Sequence, residues 1–442
     1  AGRLDAAVEA LTVGDDYLLD NALIKWDAAG SVAHARMLGS IGVLTADEVE
    51  RLRVELARVI ELGEKGEFKV ARDQEDVHTA IENYLVEKLG DLGKKLHAAR
   101  SRNDQVILDL RLYMRDRYVA VARETLDLAS TLAAFAKKHA EVPIPGRTHF
   151  QRAMPSSVGL WAGAFVESLL DDLDLFAAVI RIADQCPLGS AASYGVNLNI
   201  DRQMVADLLG FASVQNNVLY VNNSRGKVEA MVLSACAQIM NDLSKLSADV
   251  ILWTMPEFGY FSLPAKFCPG SSLMPQKRNP CPFELIRAKA AETQANLIQA
   301  LEISRPLISG YHREFQLTKG PLMRGLDDTL ACLQVMRVCV EELGVNPEAC
   351  VKAFTPELFA TDRALNLVKQ GIPFRDAYRQ VAATIGETAL EDPVANIRSK
   401  THLGATGNLG LDMALKRIEE QRASLAAKQA RWEGSIERLM AG

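Results

Sequence analysis

The chain has 442 residues, which is enough for two or three domains with sizeable hydrophobic cores. Hydrophobic residues make up 48% and charged residues 24% of it, the proportions of an ordinary globular protein. Because 50 basic and 56 acidic residues leave a net charge of −6 with no basic block, the composition argues against nucleic acid as a partner.

Apolar residues recur at helical spacing along almost the whole chain, and hairpin patterns with Asn-Gly or Asp-Gly turns are absent. The sequence therefore predicts an all-α fold. Five long segments rich in Ala and Leu, separated by Pro or Gly, predict the main helices at residues 103–142, 156–185, 227–255, 283–303 and 317–343. Five long helices indicate a bundle. Residues 158–165 are apolar on more than one face, so we expect them to pack against further helices, including those of other subunits.

The helical segments are shorter and more charged near the two ends of the chain. We therefore expect an N-terminal helical domain over residues 1–100, a central long-helix bundle over 101–350 and a small C-terminal helical domain over 351–442. The segment 227–255 has no Gly or Pro inside it, and as one helix it would be about 43 Å long.

Seven cysteines form no Cys-x-x-Cys pair and lie mostly in apolar helical contexts: Cys186, Cys236, Cys268, Cys281, Cys332, Cys339 and Cys350. They predict reduced core residues rather than disulfides or metal ligands. The first residues lack the apolar core of a signal peptide, and no run of 18 apolar residues occurs. These features predict a cytoplasmic protein without a membrane partner.

A loop is predicted between residues 256 and 282, because six of the 16 prolines fall there. Its part from Gly270 to Pro280 concentrates hydroxyls, a lysine and amides, including Ser271, Lys277 and Asn279. Gly259 and Gly270 would supply the flexibility for movement, so the sequence predicts a polar flap between rigid helices. A solvated disordered linker is the alternative interpretation.

Three other segments are similarly polar. Residues 101–105 begin a predicted helix, where Ser101 or Asn103 suits an N-cap and the free N–H groups beside Arg102 favour a carboxylate. Residues 148–151 follow two prolines and a glycine, which predicts that His149 lies near a helix entrance. Residues 311–319 concentrate hydrogen-bonding groups. The alternatives are a capped, solvated helix start, a structural histidine and an ordinary polar helix face.

Several chemistries are excluded by spacing. The Gly-x-Ser-x-Gly elbow and the phosphate-binding Gly-x-x-x-x-Gly-Lys-Ser/Thr loop do not occur, and the seven histidines are dispersed without an HxxxH pair. Polar chemistry without a metal remains. This indicates proton transfer involving a weak acid, with fixed charges that hold the resulting anion.

Together these segments resemble the fumarase/aspartase superfamily, and within it the argininosuccinate lyase family. Residues 270–280 resemble the superfamily's signature loop, and Ser-Arg-Asn-Asp-Gln at 101–105 resembles a motif of argininosuccinate lyases. The resemblance covers nearly the whole chain. It includes Asp20, Asp27, Gly30 and Ser31 near the start, and the segment 76–82 with His78.

The resemblance implies an enzyme that cleaves argininosuccinate into arginine and fumarate by anti elimination, without metal or cofactor. It implies Ser271 as the general base, with Lys277 and Asn279 stabilising the aci-carboxylate. His149, paired with Glu284, would lie near the leaving nitrogen. The remaining substrate-binding positions that it implies are Ser101, Arg102, Asn103, His78, Thr148, Tyr311, Gln316 and Lys319. A homotetramer with each active site built from three subunits is also implied.

The sequence departs from the commoner family pattern in two segments. Residues 217–226 keep Asn217 and Arg225 but lose every acidic residue of the usual pattern, and residues 190–195 are also a variant. Arg147 and Met154 are further departures. Because lost acids could change recognition of a cationic leaving group, a related lyase that releases fumarate from another N-substituted aspartate stays open as an alternative. The resemblance leaves a second alternative, a crystallin-like structural protein, because members of the family also serve as lens crystallins.

Overall fold

A computed structural model describes residues 5–387 and 389–441 of the chain. Within these ranges the α-helices are α1 Ala6–Val13, α2 Asp16–Leu19, α3 Ile24–Ser40, α4 Ala46–Glu64, α5 Val77–Leu89, α6 Asp91–Lys95, α7 Arg102–Lys138, α8 Val158–Ala183, α9 Arg202–Leu208, α10 Val218–Asn223, α11 Lys227–Thr254, α12 Cys281–Ser304, α13 Lys319–Glu341, α14 Pro347–Lys352, α15 Ala360–Lys369, α16 Phe374–Ala383, α17 Pro393–Ser399 and α18 Leu411–Ala441. Short 3₁₀ helices cover Asp20–Leu23, Arg72–Gln74, Ala265–Phe267, Arg313–Thr318, Pro356–Phe359 and Ile385–Glu387.

The long helices α7, α8, α11, α12 and α13 confirm the five helices predicted from apolar periodicity. Helix α11 packs against α8, α12 and α13, while α7 packs against α8 and α13. Helix α18 lies across α7, α3 and α8. Their facing apolar stripes form one continuous core, so the bundle is the rigid frame on which the loops are mounted. The boundary proposed at residue 350 falls inside α14, and the domain limits remain predictions.

Among the described residues, six short strands form three two-stranded ladders: β1 Pro143–Thr148 with β2 Gln151–Ser157, β3 Gln185–Cys186 with β4 Ser213–Val214, and β5 Phe261–Ser262 with β6 Gly344–Val345. The all-α class is confirmed. The β1–β2 hairpin was not predicted, because it lacks the Asn-Gly or Asp-Gly turn that signals a hairpin in sequence. Strands β1 and β2 are joined by a two-residue turn, in which His149 and Phe150 have φ of 54° and 61°. That left-handed backbone usually calls for Asn or Gly, so the turn gave no sequence signal.

The predicted loop lies between the end of α11 and the start of α12, and its two halves differ. In the first half, Tyr260 and Phe261 are each only 3% exposed, and the Phe261 ring packs against Trp161 and Trp253. The second half, from Gly270 to Pro280, is largely exposed. A hydrogen bond of 3.2 Å from Asn279 N to Pro269 O closes its base. Because buried aromatic rings follow Gly259, we expect movement of the flap to begin nearer Pro269 than Gly259.

Within the part of the chain that the structure describes, no helix combines the length and the apolar character needed to cross a bilayer.

Candidate active site

A pocket of about 110 Å³ lies where the N-terminal segment, the starts of α5, α7 and α13, and the 3₁₀ helix Arg313–Thr318 meet. Its lining includes six of the predicted substrate-binding residues: His78, Arg102, Asn103, Tyr311, Gln316 and Lys319. Residues that are far apart in the sequence are thus brought to one place. Seven further residues complete the lining: Asp16, Asp20, Glu75, Asp76, Val106, Arg225 and Arg313.

The first turn of α7 presents Arg102 and Asn103 to this pocket. Ser101 is the N-cap: its hydroxyl accepts from Asn103 N at 3.3 Å, and its own N–H donates to Asp104 Oδ1 at 2.9 Å. This capping box fixes where the 37-residue helix begins. Ser101 itself is half-buried and does not line the pocket. Its hydroxyl accepts the hydrogen bond that caps the helix.

His78 is buried on α5 and is the most strongly perturbed group of the pocket. Its Nδ1 lies 2.5 Å from Asp27 Oδ2 and 3.7 Å from Asp109 Oδ2. Burial lowers the pKa of His78, but the carboxylates of Asp27, Asp109 and Asp76 together outweigh burial and raise the pKa to about 9. This pKa favours the positively charged form of His78 at neutral pH.

Asp109 lies beside this pair on α7, and both of its carboxyl oxygens are buried without a hydrogen-bond partner among the described residues. Burial, and then repulsion from Asp27, raises the pKa of Asp109 well above its ordinary value. The raised pKa favours the neutral form of Asp109 and so limits the negative charge buried around His78.

Lys319 is buried at the start of α13, where it forms ion pairs with two carboxylates of the pocket lining. Its Nζ lies 2.9 Å from Asp16 Oδ1 and is also hydrogen-bonded to Asp20. Burial opposes its charge, yet the carboxylates of Asp20 and Asp16 raise the pKa of Lys319. Asp20 Oδ2 also accepts from Val77 N at 3.0 Å, so this ion cluster connects the N-terminal segment, α5 and α13.

The two arginines at the rim are paired with acids. Arg102 Nη1 lies 3.2 Å from Asp76 Oδ2, and Arg313 Nη2 lies 2.6 Å from Glu75 Oε1. Arg313 also donates to Thr12 O, which Gln316 contacts as well. These rim pairs are partly exposed, so an anionic ligand can compete for the guanidinium groups.

The flap residues lie outside this pocket in the single chain. Ser271 is half-buried, and its Oγ accepts from Leu273 N at 3.2 Å and from Met274 N at 3.1 Å. Lys277 is exposed, and Asn279 stands at the base of the flap. Glu284 lies in the first turn of α12 with its side chain exposed.

Thr148 and His149 lie at the tip of the β1–β2 hairpin and are exposed. The prediction that His149 stands at a helix entrance was wrong, because strand β2 separates it from α8. Within the described residues, no hydrogen bond joins His149 to Glu284. The structure of one chain thus brings together six of the nine predicted substrate-binding residues, but not the flap, the hairpin or Glu284.

One group of side chains has the geometry of a partial metal site. Among the described residues, one ligand atom each from Asp27, His78 and Asp109 lies within 4.8 Å of the others. His78 Nδ1 is already bonded to Asp27, and the Arg100 guanidinium contributes positive charge to the same cluster. We interpret the group as an ion-pair network.

Sequence reasoning missed several of these residues. Asp16 and Glu75 carried no motif, although the spacing of Asp16 to Asp20 places two acids on one helical face. Asp109 could have been found, because it is an isolated acid within an otherwise apolar stretch of a predicted helix. Arg225 was noted only as part of a variant segment, and the structure places it in the pocket lining.

Solved structures share this architecture. An EDDS lyase in complex with formate has a TM-score of 0.83 at 22% identity, with 99% of this chain and 95% of that chain covered. A class II fumarase from Schistosoma mansoni has a TM-score of 0.73 at 16% identity, with 89% and 95% covered. The fold is thus of the fumarase/aspartase type.

Sequence comparison is more specific. A family model described as "Lyase" matches residues 5–294. The argininosuccinate lyase of Sorangium cellulosum is 46% identical over 95% of this chain and 97% of its own length. That of Thermotoga neapolitana is 42% identical over 87% and 96%. The chain belongs to the argininosuccinate lyase family of the fumarase/aspartase superfamily.

Proposed function

We propose that this protein is an argininosuccinate lyase, which cleaves argininosuccinate reversibly into arginine and fumarate in arginine biosynthesis. Two observations together support the proposal: the family to which the chain belongs and the composition of the pocket. Relatives of that activity match nearly the whole chain, and the pocket holds a buried, charged histidine beside Arg102 and Asn103. A dicarboxylate needs such fixed cations.

The chemical difficulty of the reaction lies in removing a Cβ proton next to a carboxylate. Such a proton is a very weak acid, so the doubly charged aci-carboxylate has to be stabilised as it forms. In the proposed mechanism Lys277, Asn279 and backbone N–H groups of the flap supply that stabilisation after the flap closes over the substrate.

Ser271 is the proposed general base. A serine hydroxyl is too weak a base in water, so its alkoxide needs hydrogen bonds and nearby positive charge. Two backbone N–H groups, those of Leu273 and Met274, already point at Ser271 Oγ. They stabilise negative charge on that oxygen, and Lys277 on the same flap adds a cation.

The pocket residues are proposed to hold the two halves of the substrate. His78, Arg102 and Asn103, with Ser101 and Thr148 nearby in the assembled site, bind the succinyl carboxylates. Tyr311, Gln316 and Lys319 hold the arginine half.

The proposed assembly is a homotetramer, because the pocket, the flap and the hairpin are not joined in one chain. Helices α8 and α12 expose large apolar side chains that a bundle between subunits would cover: Leu175, Ile182, Leu285, Ile298 and Leu301. In such an assembly His149 of one subunit and Glu284 of another are proposed to pair beside the leaving nitrogen. The cytoplasmic location stays a prediction from the sequence.

The activity is tested by mixing the purified protein with argininosuccinate and following fumarate by its ultraviolet absorbance. Parallel reactions contain adenylosuccinate or aspartate. We expect fumarate from argininosuccinate alone. Fumarate from one of the other compounds instead would select a related lyase, and absence of fumarate from all three would remove the enzymatic function.

The shared site is tested by mixing subunits. Two variants, His149→Asn and Ser271→Ala, are each expected to be inactive alone. After joint dissociation and reassociation, hybrid tetramers should regain part of the activity, because some sites then combine the intact residue of each subunit. Variants mixed without dissociation are the control. No recovery in assembled hybrids would contradict a site built from several subunits.

A further inference from the structure

Three separate loops meet at Gly310, the residue immediately before Tyr311. Asn223, at the end of α10, contacts the segment with both atoms of its amide. Its Oδ1 accepts from Gly310 N at 2.8 Å, and its Nδ2 donates to Ser309 Oγ at 3.2 Å. Gly310 has a φ of 112°, so the chain turns sharply there and needs external hydrogen bonds to fix the direction in which Tyr311 leaves.

Tyr194 also lies next to Gly310. Its hydroxyl lies 3.5 Å from the position that a Cβ on Gly310 would occupy. The Tyr194 side chain is 77% exposed, and its hydroxyl makes no hydrogen bond within the described parts of the chain. An exposed aromatic side chain, whose hydroxyl has no hydrogen bond among the described residues, therefore lies beside Gly310, the residue before Tyr311.

The loop that carries Tyr194 is firmly placed. Asp104 Oδ2, on the first turn of α7, accepts from Gly189 N at 2.9 Å and from Ala191 N at 2.8 Å. Because the Oδ1 atom of Asp104 accepts from Ser101 N, the same carboxylate fixes both the carboxylate-binding helix start and this loop.

Tyr311 is supported on its far side by the 3₁₀ helix that follows. Its ring lies 6.2 Å from the buried ring of Phe315. Arg225 Nη2 donates to Phe315 O at 2.8 Å, and Arg225 Nε is paired with Glu229 at 2.8 Å. Tyr311 thus lies between the 3₁₀ helix Arg313–Thr318 and the junction at Gly310. Arg225 is retained from the family pattern, so the residues that depart from this pattern act on Tyr311 only through the junction.

The two segments that depart from the family pattern are the two that form this junction. Tyr194 belongs to the variant residues 190–195, and Asn223 belongs to the variant residues 217–226. Their meeting at Gly310 could not be read from their separation in sequence. Both departures therefore meet beside Tyr311, which lines the candidate pocket. Asn223 and Tyr194 lie outside that lining, next to its Tyr311 end.

We propose that Asn223 is a positioning residue that holds Tyr311 in place for the arginine half of the substrate, and that Tyr194 forms the outer wall of that end. This inference rests on the proposed argininosuccinate lyase function and extends it. The variant segments then determine affinity for the amine half and leave the fumarate half unchanged.

The test compares Asn223→Ala, Asn223→Asp and Tyr194→Ala in the full-length assembled enzyme. Asn366→Ala and Tyr378→Ala, exposed side chains on α15 and α16, are the matched controls. KM and kcat are measured with argininosuccinate. The affinities for arginine and for succinate, each standing for one half of the substrate, are measured by calorimetry.

We expect Asn223→Ala to raise KM and to weaken arginine binding about five- to tenfold, since two hydrogen bonds are lost. Succinate binding and kcat should stay within about twofold. Asn223→Asp should lose less, because it keeps the acceptor for Gly310 N. Tyr194→Ala should weaken arginine and spare succinate, and both controls should match wild type.

The outcomes separate the two proposals. No fumarate from wild type would overturn the lyase function, and calorimetry would still decide the role of Asn223. An active wild type with unchanged arginine affinity in Asn223→Ala would overturn the inference. Equal losses for arginine and succinate would also overturn it, because Asn223 would then support the whole pocket.

Discussion

The charge on His78 depends on Asp27, and the substitution Asp27→Asn tests that dependence. Asp27 is buried, and its Oδ2 lies 2.5 Å from His78 Nδ1. An asparagine has the same shape without the negative charge. Burial of His78 is then opposed mainly by the carboxylates of Asp109 and Asp76, so the pKa of His78 is expected to fall from about 9 to about its ordinary value of 6.5.

The size of the effect follows from the two pKa values. At pH 8 the charged fraction of His78 would fall from about 90% to about 3%, roughly a 30-fold change, whereas at pH 6 most of it stays charged in both proteins. If charged His78 binds the succinyl carboxylate, the ratio of kcat/KM between wild type and variant should rise from near one at pH 6 to about 30 at pH 8. The raised pKa of His78 also affects the stability of the fold. The charged form of His78 contributes fully to the free energy of unfolding below pH 6.5, and this contribution is lost as the pH rises through about 9.

The assay is fumarate release at subsaturating argininosuccinate from pH 6 to pH 9. Ser31→Ala is the matched control, because it removes a 3.4 Å hydrogen bond to the same Asp27 carboxylate and leaves its charge. Thermal melting of each variant at pH 6 checks that the fold is intact. A ratio that stays constant with pH in a folded Asp27→Asn variant would refute the reasoning.

Three further predictions concern the flap, the ion cluster and the helix packing. Ser271→Ala should lower kcat by at least about 10³-fold with an unchanged melting temperature, and Ser272→Ala should remain active; comparable rates in both would remove Ser271 as the base. Lys319→Met should destabilise the fold by roughly 3–5 kcal/mol in urea unfolding, because it leaves the buried carboxylate of Asp20 and the half-buried one of Asp16 without their cation, and a cost below about 1 kcal/mol would contradict the cluster. Gly159→Ala places a Cβ 2.5 and 2.8 Å from the backbone of the preceding helical segment and should cost about 1–3 kcal/mol, whereas Gly163→Ala meets only a 3.7 Å contact and should be neutral or stabilising; equal effects would contradict the packing.

The helical frame could be predicted because its signal is local. Apolar residues at helical spacing located α7, α8, α11, α12 and α13 to within a few residues. The hairpin escaped because Pro143, Pro145 and Pro155 suggest irregular chain. Its turn is also formed by His149 and Phe150, which rarely adopt φ above zero.

The candidate site was partly predictable, because its motifs are contiguous in sequence. The sequence could not show which charged side chains are buried. The role of Asp109 depends on long-range packing that places it beside His78 and Asp27. The convergence of Asn223 and Tyr194 on Gly310 likewise depends on how loops far apart in sequence fold onto one another.

The central claim is that the hydroxyl of a mobile flap reaches a dicarboxylate held by fixed cations. The most direct measurement is a crystal structure of the assembled Ser271→Ala variant with argininosuccinate bound. The account predicts the succinyl carboxylates at His78 and Asn103, with the flap closed so that residue 271 faces the Cβ hydrogen. Substrate bound elsewhere, or a flap that stays away from an occupied pocket, would contradict it.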